Sequence, residues 1–489
     1  MARRSRGALL PAVSQARPRR GELYRALRDA ILDGRIAARE RLPSSRQAAR
    51  DYGVSRGLVE EVFAQLGDEG FLERTVGRGT FVSARISPRR RSPANVPRNG
   101  GAPVRPSTRG LALVDGANCR EPPALRPFNA GVADTSAFPF ATWQRLVARA
   151  QRTLGRDALG FADPRGLHEL RAAVARYLAQ FRNLDCSADE VVIFNSAQQA
   201  VLALALLLLE RGDAVWLEDP GYPGARSAFA MAGARIVPVP VDADGLRVAD
   251  GKRRAPRARL AYVTPAHQYP TGAALSPARR AELLAWAAAR GAYILEDDYD
   301  GEFRYDAPPR TALRVADPSG RVVYIGTLSK SMFVSLRLAF AVVPASLVEP
   351  LATVRTHLDG FTPPVAQLAM SLFMSEGHFA THLRRLRADY AAKRDALVAT
   401  LAPLRPRGWR WSDEAAGLHL LIAHPDARHV RAVAAALPQL DLALASRYRM
   451  EPAGGDGLFL RFAGLDMAQI VAAGRALKAA CARSSRSQS

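Results

Sequence analysis

The sequence predicts an α/β protein, a mostly parallel sheet wrapped by helices, preceded by a small and mainly helical unit. From Pro127 onward, helical patterns such as Leu167 to Phe181 alternate with short apolar runs: Glu190 to Phe194, Ala214 to Leu217, Leu260 to Val263, Tyr293 to Leu295 and Val322 to Ile325. Such alternation is the pattern of parallel strands joined by crossover helices. Ahead of it, residues 1–83 carry apolar positions at helical spacing. Between the two, residues 84–126 hold Pro-Arg-Arg-Arg-Ser-Pro, Asn-Gly-Gly and Pro-Ser-Thr-Arg-Gly, a mixture that cannot bury a core. Three zones follow: a compact unit over 1–83, a basic linker over 84–126 and a large domain over 127–483.

A chain of 489 residues, 48% hydrophobic, exceeds what one ordinary core accommodates. Its net charge of +23 favours phosphate backbones or anionic surfaces as partners. The most apolar run, Ala200 to Leu209, is too short to span a bilayer. Met1 to Pro11 are basic and contain only Ala8-Leu9-Leu10, which lacks the apolar core of a secretory signal, so a cytoplasmic protein without a membrane partner is expected. Cys119, Cys186 and Cys481 show no CxxC or Cys/His spacing. Neither a disulfide framework nor a metal site is expected.

In the first unit, Leu23, Leu27, Ile31 and Leu32 recur at helical spacing and Gly34 stops that helix. Pro43-Ser44-Ser45 places a hydroxyl cap before a second helix, Arg46 to Tyr52. Gly53 turns the chain, and Val54-Ser55-Arg56 opens a third helix whose apolar face is Val59, Val62, Phe63 and Leu66, ended by Gly70. Two short helices joined by a tight turn make a helix-turn-helix, whose third helix presents its first residues to base edges. Phe71 to Val82 then reads as strand, glycine turn, strand: a wing with Arg78 at its tip.

Arg41-Leu42-Pro43-Ser44-Ser45-Arg46, Tyr52-Gly53-Val54-Ser55-Arg56 and Gly77-Arg78-Gly79-Thr80-Phe81-Val82 together resemble the GntR family of winged-helix bacterial repressors and activators. The resemblance covers about Leu23 to Ser83. It implies that Arg46, Ser55, Arg56 and the wing at Arg78, Gly79 and Thr80 face a double-stranded DNA operator. Leu58 stands where that family usually has threonine.

Lysine is scarce in the chain, occurring only at positions 252, 330, 393 and 478. Lys330 follows the apolar strand Val322 to Ile325 through Gly326-Thr327-Leu328-Ser329. An amine at the end of a buried strand is desolvated and suits a Schiff base with an aldehyde. The hydroxyls of Thr327 and Ser329 and the guanidinium of Arg337 could hold a phosphate dianion. Pyridoxal phosphate is a cofactor with these needs, and it also requires an acid against its ring nitrogen. Such acids stand in Glu296-Asp297-Asp298-Tyr299-Asp300, after Tyr293 to Leu295, where α/β folds place ligands. Asp297 is assigned to the nitrogen and Tyr299 to the phenolic oxygen, with Glu296 and Asp298 as alternatives that spacing cannot separate. Ser196, Ala197 and Gln198 open an apolar helix whose free amides would face the phosphate. Tyr222, in Asp-Pro-Gly-Tyr-Pro-Gly, and His267, in His-Gln-Tyr-Pro-Thr-Gly, occupy further loops at the same edge.

These motifs, in this order, resemble fold-type-I aminotransferases across about Phe128 to Arg483. With the GntR-like head, the chain resembles the MocR subfamily of regulators that depend on pyridoxal phosphate. The resemblance implies a Schiff base on Lys330, ring contacts from Asp297 and Tyr299, phosphate held by Arg337, a smaller C-terminal α/β subdomain, and a homodimer with its sites at the subunit interface. Ser196 stands where glycine is common, and Tyr269 where aminotransferases carry an asparagine. Phe459 occupies the usual position of the arginine that meets a substrate carboxylate. Arg461 lies two residues on, on the same strand face, and Arg447 and Arg449 are further candidates. A transcription regulator that senses pyridoxal phosphate or an amino compound is expected, with an active aminotransferase bearing a DNA-binding head as the alternative.

Overall fold

The computed structural model describes residues 11, 18–75, 77–86, 105–115, 126–128, 133–452 and 454–483. Cys119 and most of the segment read as a linker lie outside the described residues. The chain divides into two compact units, Met1–Arg105 and Pro106–Ser489.

The first unit contains α1 (Arg20–Leu32), α2 (Ser45–Tyr52), α3 (Arg56–Asp68) and the antiparallel pair β1 (Leu72–Thr75) and β2 (Gly79–Val82). The starts of α2 and α3 are set by hydroxyl caps. Ser44 Oγ accepts from the Gln47 N–H at 3.3 Å and Ser55 Oγ from the Leu58 N–H at 3.2 Å, satisfying amides that have no partner inside the helix. Gly53 closes α2 in the left-handed region, φ 63°, as only a residue without Cβ does freely. Leu23, Leu27, Ile31, Val59, Val62, Phe63 and Leu66 meet in one buried core with Leu72 and Val82 from the wing.

Within the segment read as a linker stands a helix, Thr108–Asp115. Ser107 Oγ accepts from the Gly110 N–H at 3.1 Å, and the run Leu111 to Val114 favours helix over the flexible chain that the neighbouring prolines and glycines suggest.

The second unit is built on an eight-stranded sheet in the order β3-β10-β9-β8-β7-β4-β5-β6. The strands are β3 (Val191–Phe194), β4 (Ala214–Asp219), β5 (Arg235–Asp242), β6 (Gly245–Leu246), β7 (Leu260–Val263), β8 (Tyr293–Asp298), β9 (Val322–Thr327) and β10 (Ala339–Val342). Pairing is parallel from β9 through β8, β7 and β4 to β5; β10 and β6 run antiparallel to their neighbours. Consequently β3, β4, β7, β8 and β9 all deliver their C-terminal ends to one edge. Strand β5 was not legible in the sequence because Pro238 and Pro240 interrupt it, and proline demotes an apolar run. Here Arg235 N–H donates to Asp213 O at 2.8 Å, so the odd-numbered residues bond toward β4 while both prolines turn their absent N–H groups away from it.

A second sheet, antiparallel in the order β11-β13-β12, comprises β11 (His419–His424), β12 (Ala443–Leu444) and β13 (Asp456–Arg461). It shares a core with Leu397 and Leu401 of one helix and Ile470 and Leu477 of another, forming the C-terminal α/β subdomain. Among the described residues no helix is long and apolar enough to cross a membrane.

Leu27 is fully buried at the centre of the first unit's core. Leu27→Ala is expected to destabilise that unit by about 2–5 kcal/mol, read as faster amide hydrogen exchange across α1 to α3.

Candidate functional site

In the first unit, Arg46 and Arg56 are exposed near the starts of α2 and α3. Arg56 Nε lies 3.4 Å from Ser45 Oγ and its guanidinium 3.8 Å from Glu60, so both helix starts share one polar surface. The hydroxyl of Ser55 is engaged as the cap of α3. At the wing, Gly77 and Gly79 have φ 75° and 112°, the Arg78 N–H donates to Thr75 O at 3.0 Å, and Arg78 is exposed at the tip. Leu42 N–H donates to Thr80 O at 2.9 Å, which ties the wing to the segment before α2.

In the second unit, β8 carries the acidic cluster further than the sequence suggests: the strand continues to Asp298 instead of ending at Leu295. Three consecutive buried carboxylates persist in a strand because each finds partners on alternating faces. Glu296 accepts from the N–H groups of Leu313 and Arg314 at 2.6 and 3.0 Å. Asp298 accepts from Tyr324 Oη at 2.6 Å and pairs with the Arg182 guanidinium at 2.8 Å. Asp297 Oδ2 accepts from Tyr262 Oη at 2.5 Å, while Oδ1 has no partner among the described residues. Burial pushes Asp297 up to about 7, with the Asp298 and Asp300 anions adding to the rise and Lys330 opposing it. A buried carboxylate oxygen without a donor is costly. This one suits a cationic N–H from a bound group.

The remaining pieces converge on the same edge. Lys330 lies half-buried in the turn after β9 and acts electrostatically on both Asp297 and His419. Thr327 Oγ1 accepts from the Ser329 N–H at 3.2 Å, shaping that turn. Ser196 caps the helix Ala197–Leu208 by accepting from the Gln199 N–H at 3.1 Å. Gln198 Nε2 donates to Gly224 O at 2.8 Å. A Cβ on Gly224 would lie 2.2 Å from Gln198 Oε1 and 2.5 Å from Tyr222 Oη, so the glycine is what lets these two side chains meet. Arg337 sits in the left-handed region, φ 54°, with its side chain exposed.

His267 Nδ1 lies 2.9 Å from Asp300 Oδ2 and 3.1 Å from Tyr299 Oη. Gly417, φ 78°, presses against the imidazole: a Cβ there would fall 2.0 Å from its Cε1. Tyr269 is ringed by Tyr222, Tyr299, His419, Tyr448 and Phe459, with centroids 5.4–5.9 Å away. Its hydroxyl accepts from Arg461 Nη2 at 3.4 Å, and the Arg461 guanidinium stands 5.0 Å from the Phe459 ring. Arg461 therefore belongs to this cluster. Arg447 is exposed in the turn Ala445–Tyr448, and Arg449 is occupied by Gly455 O at 3.0 Å.

Sequence reasoning missed Tyr262 and His419. Tyr262 lies inside an apolar strand run, where its hydroxyl leaves no trace in the pattern. His419 opens β11, far downstream, and its only signal is the preceding glycine in Ala416-Gly417-Leu418-His419. Burial holds its imidazole well below the usual histidine range, with His267 and Arg461 adding to the effect.

The folded-state pKa of Asp297 lies above its unfolded value. Its contribution to stability is therefore complete below about pH 4 and is lost as the pH rises toward 7. In ligand-free protein, Asp297→Asn is expected to flatten the fall in denaturant midpoint between about pH 5 and 8 relative to the unsubstituted chain. An unchanged slope would show that Asp297 is ionised throughout.

Two family models match the chain: the bacterial regulatory proteins of the gntR family over residues 19–82 and aminotransferase class I and II over residues 130–449. The probable rhizopine catabolism regulatory protein MocR of Rhizobium meliloti is 39% identical over 382 residues, 78% of this chain and 77% of that protein. The HTH-type transcriptional regulator TauR of Rhodobacter capsulatus is 33% identical, with 78% and 80% covered. Among solved structures, LysN, an alpha-aminoadipate aminotransferase of Thermus thermophilus complexed with N-(5'-phosphopyridoxyl)-L-leucine, is 25% identical with a TM-score of 0.67, over 78% of this chain and 96% of that one. The winged helix-turn-helix and the sheet edge that gathers Lys330, Asp297 and Tyr299 are thus the two halves of one architecture, and the chain belongs to the MocR-type branch of the GntR family of DNA-binding transcription regulators, which carry an aminotransferase class I and II domain.

Proposed function

We propose that this regulator binds pyridoxal phosphate on Lys330 and reports an amino compound, or the cofactor itself, to a DNA-binding homodimer in the cytoplasm. The unpartnered, buried Oδ1 of Asp297 carries the reading, because a protonated pyridine nitrogen is the donor it lacks. The cofactor supplies an aldehyde for amines and a ring that withdraws electrons. Lys330 supplies the amine that anchors it. Asp297 keeps the ring nitrogen protonated, and Tyr299, backed by His267 and Asp300, donates toward the phenolic oxygen. Tyr222 covers the ring, while the amides at Ser196, Ala197 and Gln198, the hydroxyls of Thr327 and Ser329 and the Arg337 guanidinium hold the phosphate. Arg461, already beside Tyr269, receives an effector carboxylate; Arg447 is too exposed for that task.

Phe140, Leu159 and Phe161 are 62%, 87% and 98% exposed, and large apolar side chains left in water favour a second copy as their cover. Residues 1–83 serve as the operator-binding head and 84–126 as its tether to the effector domain, 127–483. The effector acts only by binding the two arrangements of the dimer unequally.

The decisive experiment is an absorbance spectrum of the protein with added pyridoxal phosphate, beside Lys330→Ala, followed by titration with amino compounds. A yellow imine band that requires Lys330, altered by an amine without sustained keto-acid formation, is the expected result. Absence of the lysine-dependent band would remove the cofactor from this reading, and catalytic turnover would make the chain an enzyme. On operator DNA, Arg56→Ala is expected to cost about 1–3 kcal/mol and relax base preference, whereas Arg78→Ala should lower affinity evenly and reduce the salt slope by about one. Binding isotherms over a salt series check both.

A further inference from the structure

We infer that His267, Asp300 and His419 form a site for one divalent transition ion of the zinc class, clamping the three-stranded sheet to the eight-stranded one. All three side chains are buried, and their ligand-capable atoms lie within 4.8 Å of one another. Asp300 is 1% exposed and His419 5%, yet Asp300 Oδ1 and His419 Nε2 have no hydrogen-bond partner among the described residues. The buried Nε2 of His419 is thus left for a ligand from outside the chain.

His267 Nδ1 and Asp300 Oδ2 stand 2.9 Å apart. Ligand atoms on a tetrahedral zinc ion, with bonds of about 2.0–2.1 Å, are roughly 3.3 Å apart. A few tenths of an ångström of opening therefore lets the ion replace the proton these two groups share. Two imidazoles and a carboxylate select zinc, cobalt or nickel over magnesium or calcium. Three protein ligands leave a fourth position open, as in sites that exchange a ligand, and Tyr299 Oη, 3.1 Å from His267 Nδ1, borders it. No metal site was legible in the sequence because the ligands come from three distant segments with no short spacing between them. In the fold, His267 and Asp300 follow β7 and β8, whereas His419 opens β11. One ion would thus hold the C-terminal subdomain in a single placement, giving the regulator a second input.

The ion would share His267 and Asp300 with the cofactor reading, but its binding needs no aldehyde on Lys330. Full-length protein, freed of metal by dialysis against a chelator, is titrated with Co²⁺. The expected result is intense visible d–d absorbance saturating at one ion per chain and abolished by Zn²⁺. His419→Gln and Asp300→Asn should each weaken binding by roughly tenfold or more, with native circular dichroism retained. His424→Ala, which removes an imidazole outside the cluster, should leave the titration unchanged. Lys330→Ala should still bind one ion, so a metal signal without the yellow band, or the band without the metal, tells the two readings apart. Absence of d–d absorbance in the unsubstituted protein overturns the inference. So does a titration that His419→Gln and Asp300→Asn leave unaltered, or one that His424→Ala abolishes.

Discussion

Burying negative charge without leaving it unpaired governs the large unit. Glu296, Asp297, Asp298 and Asp300 fall within five residues, and each is almost wholly removed from water. An isolated carboxylate in that setting would take up a proton or break the fold. The surrounding chain answers them one at a time. Backbone amides at Leu313 and Arg314 take Glu296, Arg182 and Tyr324 take Asp298, and His267 takes Asp300. Asp297, Asp298 and Asp300 each keep one oxygen that has no hydrogen-bond partner among the described residues.

That pattern explains which parts of the molecule were legible from the chain alone. The helix-turn-helix was legible because caps and left-handed glycines are local: Ser44, Gly53, Ser55 and Gly70 act within a few residues of where they stand. The parallel strands were legible where they are uninterrupted and apolar. The neighbours Glu296, Asp297 and Asp298 were not separable in the sequence, since they differ in partners such as Tyr262 and Arg182 that pattern reasoning has no means of pairing with them. The same limit hid His419 and left Arg447 level with Arg461.

The two units obtain their order by different means. The first depends on capped helix ends and a compact apolar core, so small changes at Ser44 or Leu27 act on the whole of it. In the second, polar contacts between distant segments do comparable work. The Glu218 carboxylate, for example, accepts from the Thr264 hydroxyl at 2.7 Å and from Gln268 Nε2 at 3.1 Å, fixing the loop that presents His267 and Tyr269. Networks of this kind specify one arrangement strongly when complete.

The prolines of β5 have a consequence beyond the site. A strand near the margin of a sheet ordinarily offers a row of amides and carbonyls that a stray chain can extend. On β5 the amides facing away from β4 are missing at Pro238 and Pro240. The carbonyls facing that way are already taken, Pro238 O by the Arg254 guanidinium at 2.8 Å and Pro240 O by the Arg247 N–H at 2.9 Å. Around Pro238 and Pro240, then, β5 offers a passing chain neither an amide nor a free carbonyl, and the same two residues that obscured the strand in the sequence make it a poor template for strand addition.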